Sequence, residues 1–342
     1  MRIRTLLIGL GRIASTLETD PLRYHPCTHS GVLFSKFGKK KFQLSGIYDI
    51  DEESISGFLK QWKLKQNEVK STLAEIKKET FDLAIIASSS DAHFENTKFA
   101  ISLGIKNLLI EKPVCMNSKE LKSLLTLKKK HNLQIWVNHE RRYHYLYQYV
   151  RKIVKERTFG ELRTIRASVL TSFRDPGIAF QEGGGPLLHD GTHAVDYIDY
   201  LLESKPIRIT SKLVKSSPDA KIEEQAIAVL EYPNNVFVFL EAGGKRNYFQ
   251  FEIDIQTENG RFILSNDGHR FYESKQSKLY KGFKSLATIS IPKTPKKDLN
   301  PWINIYREIH SVLRRRTVQI LGSLEANERI FSTIQSIYLG KI

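Results

Sequence analysis

Two glycines and an alanine come directly after an apolar run near the start of the chain. Thr5-Leu6-Leu7-Ile8 leads into Gly9-Leu10-Gly11-Arg12-Ile13-Ala14, a Gly-x-Gly-x-x-Ala pattern. In a strand–turn–helix setting the first glycine makes the turn and the second lets backbone approach a pyrophosphate. The small third residue lets helix lie against strand. A helix starting there would also present amide N–H groups and the positive end of its dipole to phosphate. The pattern therefore points to dinucleotide binding, with Gly9, Gly11, Arg12 and Ile13 as contacts, and an ordinary glycine turn is the lesser reading.

Asp49 closes the next apolar run, Gln43 to Tyr48. A carboxylate there can accept from the adenine ribose hydroxyls and repel a 2′-phosphate, which selects NAD and leaves NADP as the alternative. It follows Gly11 by 38 residues rather than the usual about 20. The chain between Thr19 and Lys41 must therefore carry an insert or a longer helix.

Two further groups fall at the ends of apolar runs, where open α/β sheets bind ligands. The first holds Ser88 and His93, expected at the cofactor; the second is Glu111-Lys112-Pro113. The Lys112 ammonium could donate to a substrate oxygen. The glycine-rich stretch Gly183 to Gly185 precedes Pro186-Leu187-Leu188-His189-Asp190-Gly191-Thr192-His193. On a regular helix His189 and His193 share a face with Asp196 nearby, so an imidazole could exchange a proton with an alcohol while a carboxylate orients it. Structural histidines are the competing reading. Zinc is disfavoured because the motif lacks the glutamate of His-Glu-x-x-His and no third ligand is evident. His25-Pro26-Cys27-Thr28-His29 likewise reads as a loop and helix start, so no metal is expected.

The elements that must position these residues alternate β and α through about residue 139. Strands are expected at 4–8, 43–48, 81–87, 107–110 and 134–137. Helices are expected after the glycine turn, from Thr28, from Asp51, over 92–103 and from Ser118. Repeated units with short connections imply a doubly wound, mostly parallel sheet. Beyond about residue 150 the texture changes to strands at 161–171, 207–215, 226–232, 236–242, 249–257 and 261–264. Pro233-Asn234-Asn235 and Glu258-Asn259-Gly260 supply hairpin turns. One helix over 187–202 and two terminal helices, 303–313 and 324–338, complete the reading. The fold class is α/β plus α+β: a Rossmann domain over 1–139, then a mainly antiparallel open-sheet domain over 140–342 whose terminal helices could pack back on the first.

Composition agrees. With 41% hydrophobic and 26% charged residues, neither disorder nor a fibrous protein is expected. The net charge of +16 is spread along the chain, which weakens a nucleic-acid or membrane reading. The first apolar stretch is too short to span a bilayer, and two cysteines are too few for a disulfide framework. A cytoplasmic protein is expected.

In this order, GLGRIA, SSSDAH, EKP and GGGPLLHDGTHAVD resemble the Gfo/Idh/MocA oxidoreductases, the glucose-fructose oxidoreductase and inositol dehydrogenase family. The resemblance implies hydride transfer between a nicotinamide cofactor and a carbinol carbon of a sugar, cyclitol or sugar derivative, sugar nucleotides included. By it, Lys112 matches the active-site lysine, His193 the histidine of the Asp-x-Gly-x-His motif, and Glu111 a residue positioning the nicotinamide end. His189 stands where that motif has its aspartate, with Asp190 one place later, and enters as a second catalytic histidine. Asp190, Arg141, Tyr143 and Arg174 are substrate candidates, with Asp175 beside the last. The rival is a non-catalytic dinucleotide-binding sensor. An open sheet face could support homo-oligomers.

Overall fold

The computed structural model describes residues 1–170, 184–314 and 320–340. These form two compact units, Met1–Tyr143 with Asn300–Glu325, and His144–Leu299 with Ala326–Ile342. No helix among the described residues is long and apolar enough to cross a membrane.

In the first unit, β1 (Ile3–Ile8), β2 (Phe42–Tyr48), β3 (Leu83–Ile86), β4 (Asn107–Ile110) and β5 (Gln134–Val137) form one sheet in the order β2-β1-β3-β4-β5. Every pairing is parallel. Strand β3 is buried along its whole length and β4 and β5 nearly so, as expected where helices cover both faces. The order reverses between β1 and β3, so a crevice lies beyond their carboxyl ends.

Helix starts follow local chemistry. Thr28 accepts from the N–H of Gly31 to open α1 (His29–Phe34), and Ser35 accepts from Gly38 to open α2 (Lys36–Lys41). Asp51 caps α3 (Glu52–Trp62), and Thr72 with Glu75 makes a reciprocal capping box on the short α4 (Leu73–Ile76). Then come α5 (His93–Ser102) and α6 (Ser118–His131), the latter capped by Asn117 and ended by Asn132 in the left-handed region.

One expectation fails here. No regular helix follows the glycine turn: Ser15 N–H bonds the Gly11 carbonyl at 3.0 Å, a turn follows, and only a 3₁₀ segment, Thr16–Thr19, forms before Asp20 and Pro21. Proline cannot donate the amide that a continuing helix needs. The long β1–β2 spacing is therefore taken up by this turn, the His25–Pro26 loop, α1 and α2.

The second unit contains α7 (Tyr145–Lys155), β6 (Leu162–Leu170), α8 (Thr192–Leu202), β7 (Arg208–Val214), β8 (Gln225–Tyr232), β9 (Val236–Gly243), β10 (Gln250–Thr257), β11 (Gly260–Ser265), β12 (Arg270–Gln276) and β13 (Lys284–Ile289). The sheet runs β13-β12-β11-β10-β6-β9-β8-β7, antiparallel except for the β6–β9 pair. On β8, Ala226, Ala228, Leu230 and Tyr232 are buried while Ile227 is exposed, and Phe237 and Phe239 are exposed on β9. That period of two leaves an open sheet face. Strands β12 and β13 and helix α7 are absent from the sequence reading. The expected helix over 187–202 begins instead with a π-helical turn, Leu187–Gly191, before α8.

Helix α9 (Pro301–Leu313) belongs to the first unit, where Ile305, Tyr306, Ile309 and Val312 enter the core with Leu7, Val32, Phe42 and Trp136. Gly322 returns alongside β5, its carbonyl accepting from Val137 N–H at 2.7 Å. Helix α10 (Ala326–Leu339) belongs to the second unit.

Candidate functional site

At the β1 end the backbone turns at Gly9 with φ +85°, and Gly9 N–H donates to the Tyr48 carbonyl at 2.8 Å. A Cβ on Gly9 would stand 2.3 Å from the Ser88 backbone nitrogen, so β1 and β3 approach as closely as they do only because this residue is glycine. A Cβ on Gly11 would meet nothing within 4 Å. The backbone at Gly11 therefore faces open space. Asp49 Oδ2 accepts from Leu10 N–H at 2.8 Å and Oδ1 from Asp51 N–H at 3.1 Å, so the carboxylate fixes the glycine loop while staying half-exposed at the β2 end. Arg12 is exposed and Ile13 packs partly into the core. With the short 3₁₀ segment replacing a helix, phosphate would be met by loop amides and Arg12.

Ser88 lies at the β3 end, its hydroxyl accepting from Asn96 at 2.9 Å. His93 is turned inward: Nδ1 lies 2.8 Å from the Pro113 carbonyl and Nε2 3.1 Å from the Ser88 carbonyl. Burial pushes its pKa down. His93 thus ties the β3 and β4 ends together rather than offering a ring nitrogen to the crevice.

Lys112 follows β4 half-exposed, and its peptide bond to Pro113 is cis. Glu111 is 5% exposed. Its Oε1 pairs with His29 Nε2 at 3.0 Å and accepts from Asn138 Nδ2, and Oε2 accepts from Lys112 N–H at 3.1 Å. Burial alone would raise its pKa. The hydrogen bond and charge of His29, the Asn138 bond and the charge of Lys112 together hold it below the ordinary carboxylate range. Sequence reasoning missed His29 and Asn138, because nothing in a lone histidine at a helix start reports a partner 82 residues away.

Tyr143 is a correction. It is 3% exposed, donates to Glu308 at 2.7 Å and accepts from Gly322 N–H at 3.2 Å. Its hydroxyl anchors the returning chain and is not presented to a ligand. Arg141 is half-exposed and pairs with Glu140 at 2.6 Å. Arg174 and Asp175 lie outside the described residues. Near the insert, Glu18, His25 and Cys27 bring ligand-type atoms within 4.8 Å of one another. The Glu18 carboxylate there already pairs with His25 and accepts from Cys27 N–H and the Thr28 hydroxyl, which makes it a local staple. Burial raises the Cys27 thiol to about 11 and the Cys115 thiol to about 12.

In the second unit the π-helical turn places His189 in a buried position, while Asp190 and His193 are half-exposed and Asp196 is 1% exposed. The four-residue face expected for His189 and His193 assumed a regular α-helix, and the wider turn at 187–191 removes that basis. The His193 ring lies edge-on to Phe251, centroids 6.4 Å apart. Glu223, also unforeseen, accepts from Leu187 N–H at 2.9 Å and from the Tyr338 hydroxyl at 3.0 Å, pinning the start of this turn. Burial raises its pKa. A Cβ on Gly185 would fall 2.2 Å from that carboxylate, so a side chain there would displace Glu223 from its place, and Gly191 packs against Ala242 of β9.

The description "Oxidoreductase family, NAD-binding Rossmann fold" of the Gfo/Idh/MocA group matches residues 3–139, and the family's C-terminal domain matches residues 147–263. The chain belongs to the Gfo/Idh/MocA oxidoreductases. An uncharacterised oxidoreductase of Synechocystis sp. is 26% identical over 211 residues, 55% of this chain and 55% of that protein. A UDP-N-acetylglucosamine 3-dehydrogenase of Acidithiobacillus ferrooxidans is 23% identical over 191 residues, 56% of this chain and 52% of that one. The chain thus spans about half the length of these curated relatives. The WlbA dehydrogenase from Bordetella pertussis, in complex with NADH and UDP-GlcNAcA, superposes with a TM-score of 0.74 at 15% identity, covering 99% of this chain and 96% of that one. At that identity the likeness shows the fold.

Proposed function

We propose that this Gfo/Idh/MocA protein is an NAD-dependent dehydrogenase or reductase acting on a carbinol or carbonyl carbon of a sugar, cyclitol or sugar derivative, with a sugar nucleotide as the favoured class. The observation that carries the reading is the crevice at the β1/β3 reversal. There an open Gly11 cradle stands beside a loop-fixing Asp49, with Lys112 on the neighbouring strand end. Gly9, Gly11, Arg12, Ile13 and Asp49 would hold the dinucleotide, and Asp49 favours NAD over NADP because a carboxylate there repels a 2′-phosphate. When bound, the nicotinamide supplies the hydride acceptor or donor. By the family resemblance Lys112 is assigned to polarising the substrate oxygen, and His193 to taking or returning a hydroxyl proton. Asp190, Arg141 and Arg174 are assigned to the substrate side, and His189 is kept as the second histidine for proton transfer. The sugar-nucleotide preference draws on the name of the Acidithiobacillus dehydrogenase and on the UDP-GlcNAcA in complex with the Bordetella protein. The exposed Ile227, Phe237 and Phe239 on one sheet face support association of two copies, and two buried thiols support a reducing, cytoplasmic setting.

One observation favours a sensor that binds nucleotide without turnover: His189, in place of the family's aspartate, is buried. Titrating NAD(H) and NADP(H) into the protein, then following reduced-nicotinamide absorbance with a panel of UDP-sugars, separates the two. Turnover should appear and fall roughly 10²–10⁴-fold in Lys112→Ala, the usual worth of a positioned acid or base. Binding without turnover across the panel would remove sugar nucleotides as the substrate class and favour the sensor, and no binding of either nucleotide by folded protein would end both readings.

A further inference from the structure

Four segments of the first unit, far apart in sequence, converge on one carboxylate. His29 comes from the insert between β1 and β2, Glu111 from the β4 end, Asn138 from the β5 end and Tyr306 from helix α9. Tyr306 Oη lies 2.8 Å from His29 Nδ1, and His29 Nε2 lies 3.0 Å from Glu111 Oε1. His29 and Tyr306 are fully buried, Asn138 is 2% exposed and Glu111 5%. With Glu111 an anion, His29 Nε2 must carry a hydrogen toward it, and the Tyr306 hydroxyl completes the other ring nitrogen. The anion also orients Asn138, whose amide nitrogen faces Glu111 while its Oδ1 has no partner among the described residues. Leaving a buried acceptor unmet is costly, so this orientation is imposed by the carboxylate.

We propose that His29, backed by Tyr306, is a positioning residue for the reaction: it locks Glu111 so that the backbone at Lys112, bonded to Glu111 Oε2, holds the lysine in its working place. The inference rests on the functional reading above for the role of Lys112, and on the geometry of the first unit for the lock. It also gives the insert and the returning helix a task beyond packing, since one supplies His29 and the other supplies Tyr306. Besides His29 and Tyr306, the charged or titratable groups acting on Glu111 are Lys112 and His93. Removing His29 leaves burial less opposed, so Glu111 should take up a proton at a higher pH and loosen its hold on Lys112.

The test uses the intact chain labelled with ¹³C-carboxyl glutamate, with Glu111→Gln assigning the Glu111 resonance. Wild type, His29→Ala and His29→Gln are titrated by NMR, and kcat and KM for NAD-linked turnover are measured across pH. Gln can place an N–H near the position of the ring Nε2. His29→Ala should move the Glu111 titration to higher pH and lower kcat roughly 10²-fold, the scale of a small misplacement of a reacting group. The KM for nucleotide should stay nearly constant, and His29→Gln should recover both readouts in part. An unmoved Glu111 titration overturns the lock, and a moved titration with unchanged kcat overturns the positioning role. If wild type turns over no substrate, the functional reading fails and the NMR titration alone decides whether His29 governs Glu111.

Discussion

Two glycines two residues apart do different work, and substitution separates them. Gly9 combines φ +85° with a Cβ position 2.3 Å from the Ser88 backbone, whereas Gly11 faces open space. An L-residue at Gly9 meets about 1–2 kcal/mol of left-handed strain before the clash is counted. Gly9→Ala should therefore lower Tm by several degrees, at about 2–4 °C per kcal/mol for a cooperative unit of about 150–250 residues. Gly11→Ala should leave stability within about ±0.5 kcal/mol of wild type, as surface changes do. Its added methyl should nevertheless weaken NAD binding at least tenfold by calorimetry. Equal NAD affinity in Gly11→Ala and wild type would remove Gly11 from the cofactor cradle. The motif was legible because its residue types and their spacing lie in one short stretch, Gly9 to Ala14. The Glu111 partners were not, because a hydrogen bond between residues 29 and 111 depends on two strands and a helix already being in place.

At the scale of elements, period and caps carried most of the fold. The runs at 107–110 and 134–137 became β4 and β5 as expected, and Thr28, Ser35 and Asp51 open the helices their side chains can cap. Helix α7 escaped because its buried stripe, Leu146, Tyr147, Val150 and Ile153, is diluted by tyrosines and basic residues. Strand β13 escaped because none of its residues is fully buried, so period two leaves little contrast. Helix α9 is held by Glu308, which accepts from Tyr143 at 2.7 Å and Trp136 Nε1 at 3.1 Å. Burial raises the Glu308 pKa despite these bonds. A carboxyl whose folded pKa is raised contributes stability that is complete below its unfolded value and is lost as pH rises through the folded one. Glu308→Gln stays neutral throughout and can still accept. The Tm of the variant relative to wild type should therefore climb as pH rises from the ordinary carboxylate range through neutrality. A difference that falls over that window would mean that the Glu308 anion, rather than its neutral form, is favoured by the fold.

Across the whole molecule, each unit has its own sheet and its own buried centre, and the residues proposed to hold nucleotide all lie in the first. A ligand that binds only the folded form stabilises what it binds, by about 2.7 kcal/mol at a hundred times its Kd. Saturating NAD should accordingly slow amide hydrogen exchange at Gly9–Ser15, around Asp49 and at the Ser88 turn. Exchange in the β8–β9 ladder, residues 225–243, answers to a different core and should change less. The same experiment with Gly11→Ala should lose the protection at the glycine loop while leaving exchange in β3 and β4 as in the unliganded protein. Protection that rises first or most strongly in residues 225–243 would place the nucleotide on the second unit. Because the Gly11 cradle and Asp49 would then be bystanders, that one result would overturn the cofactor assignment and the chemistry built on Lys112 together.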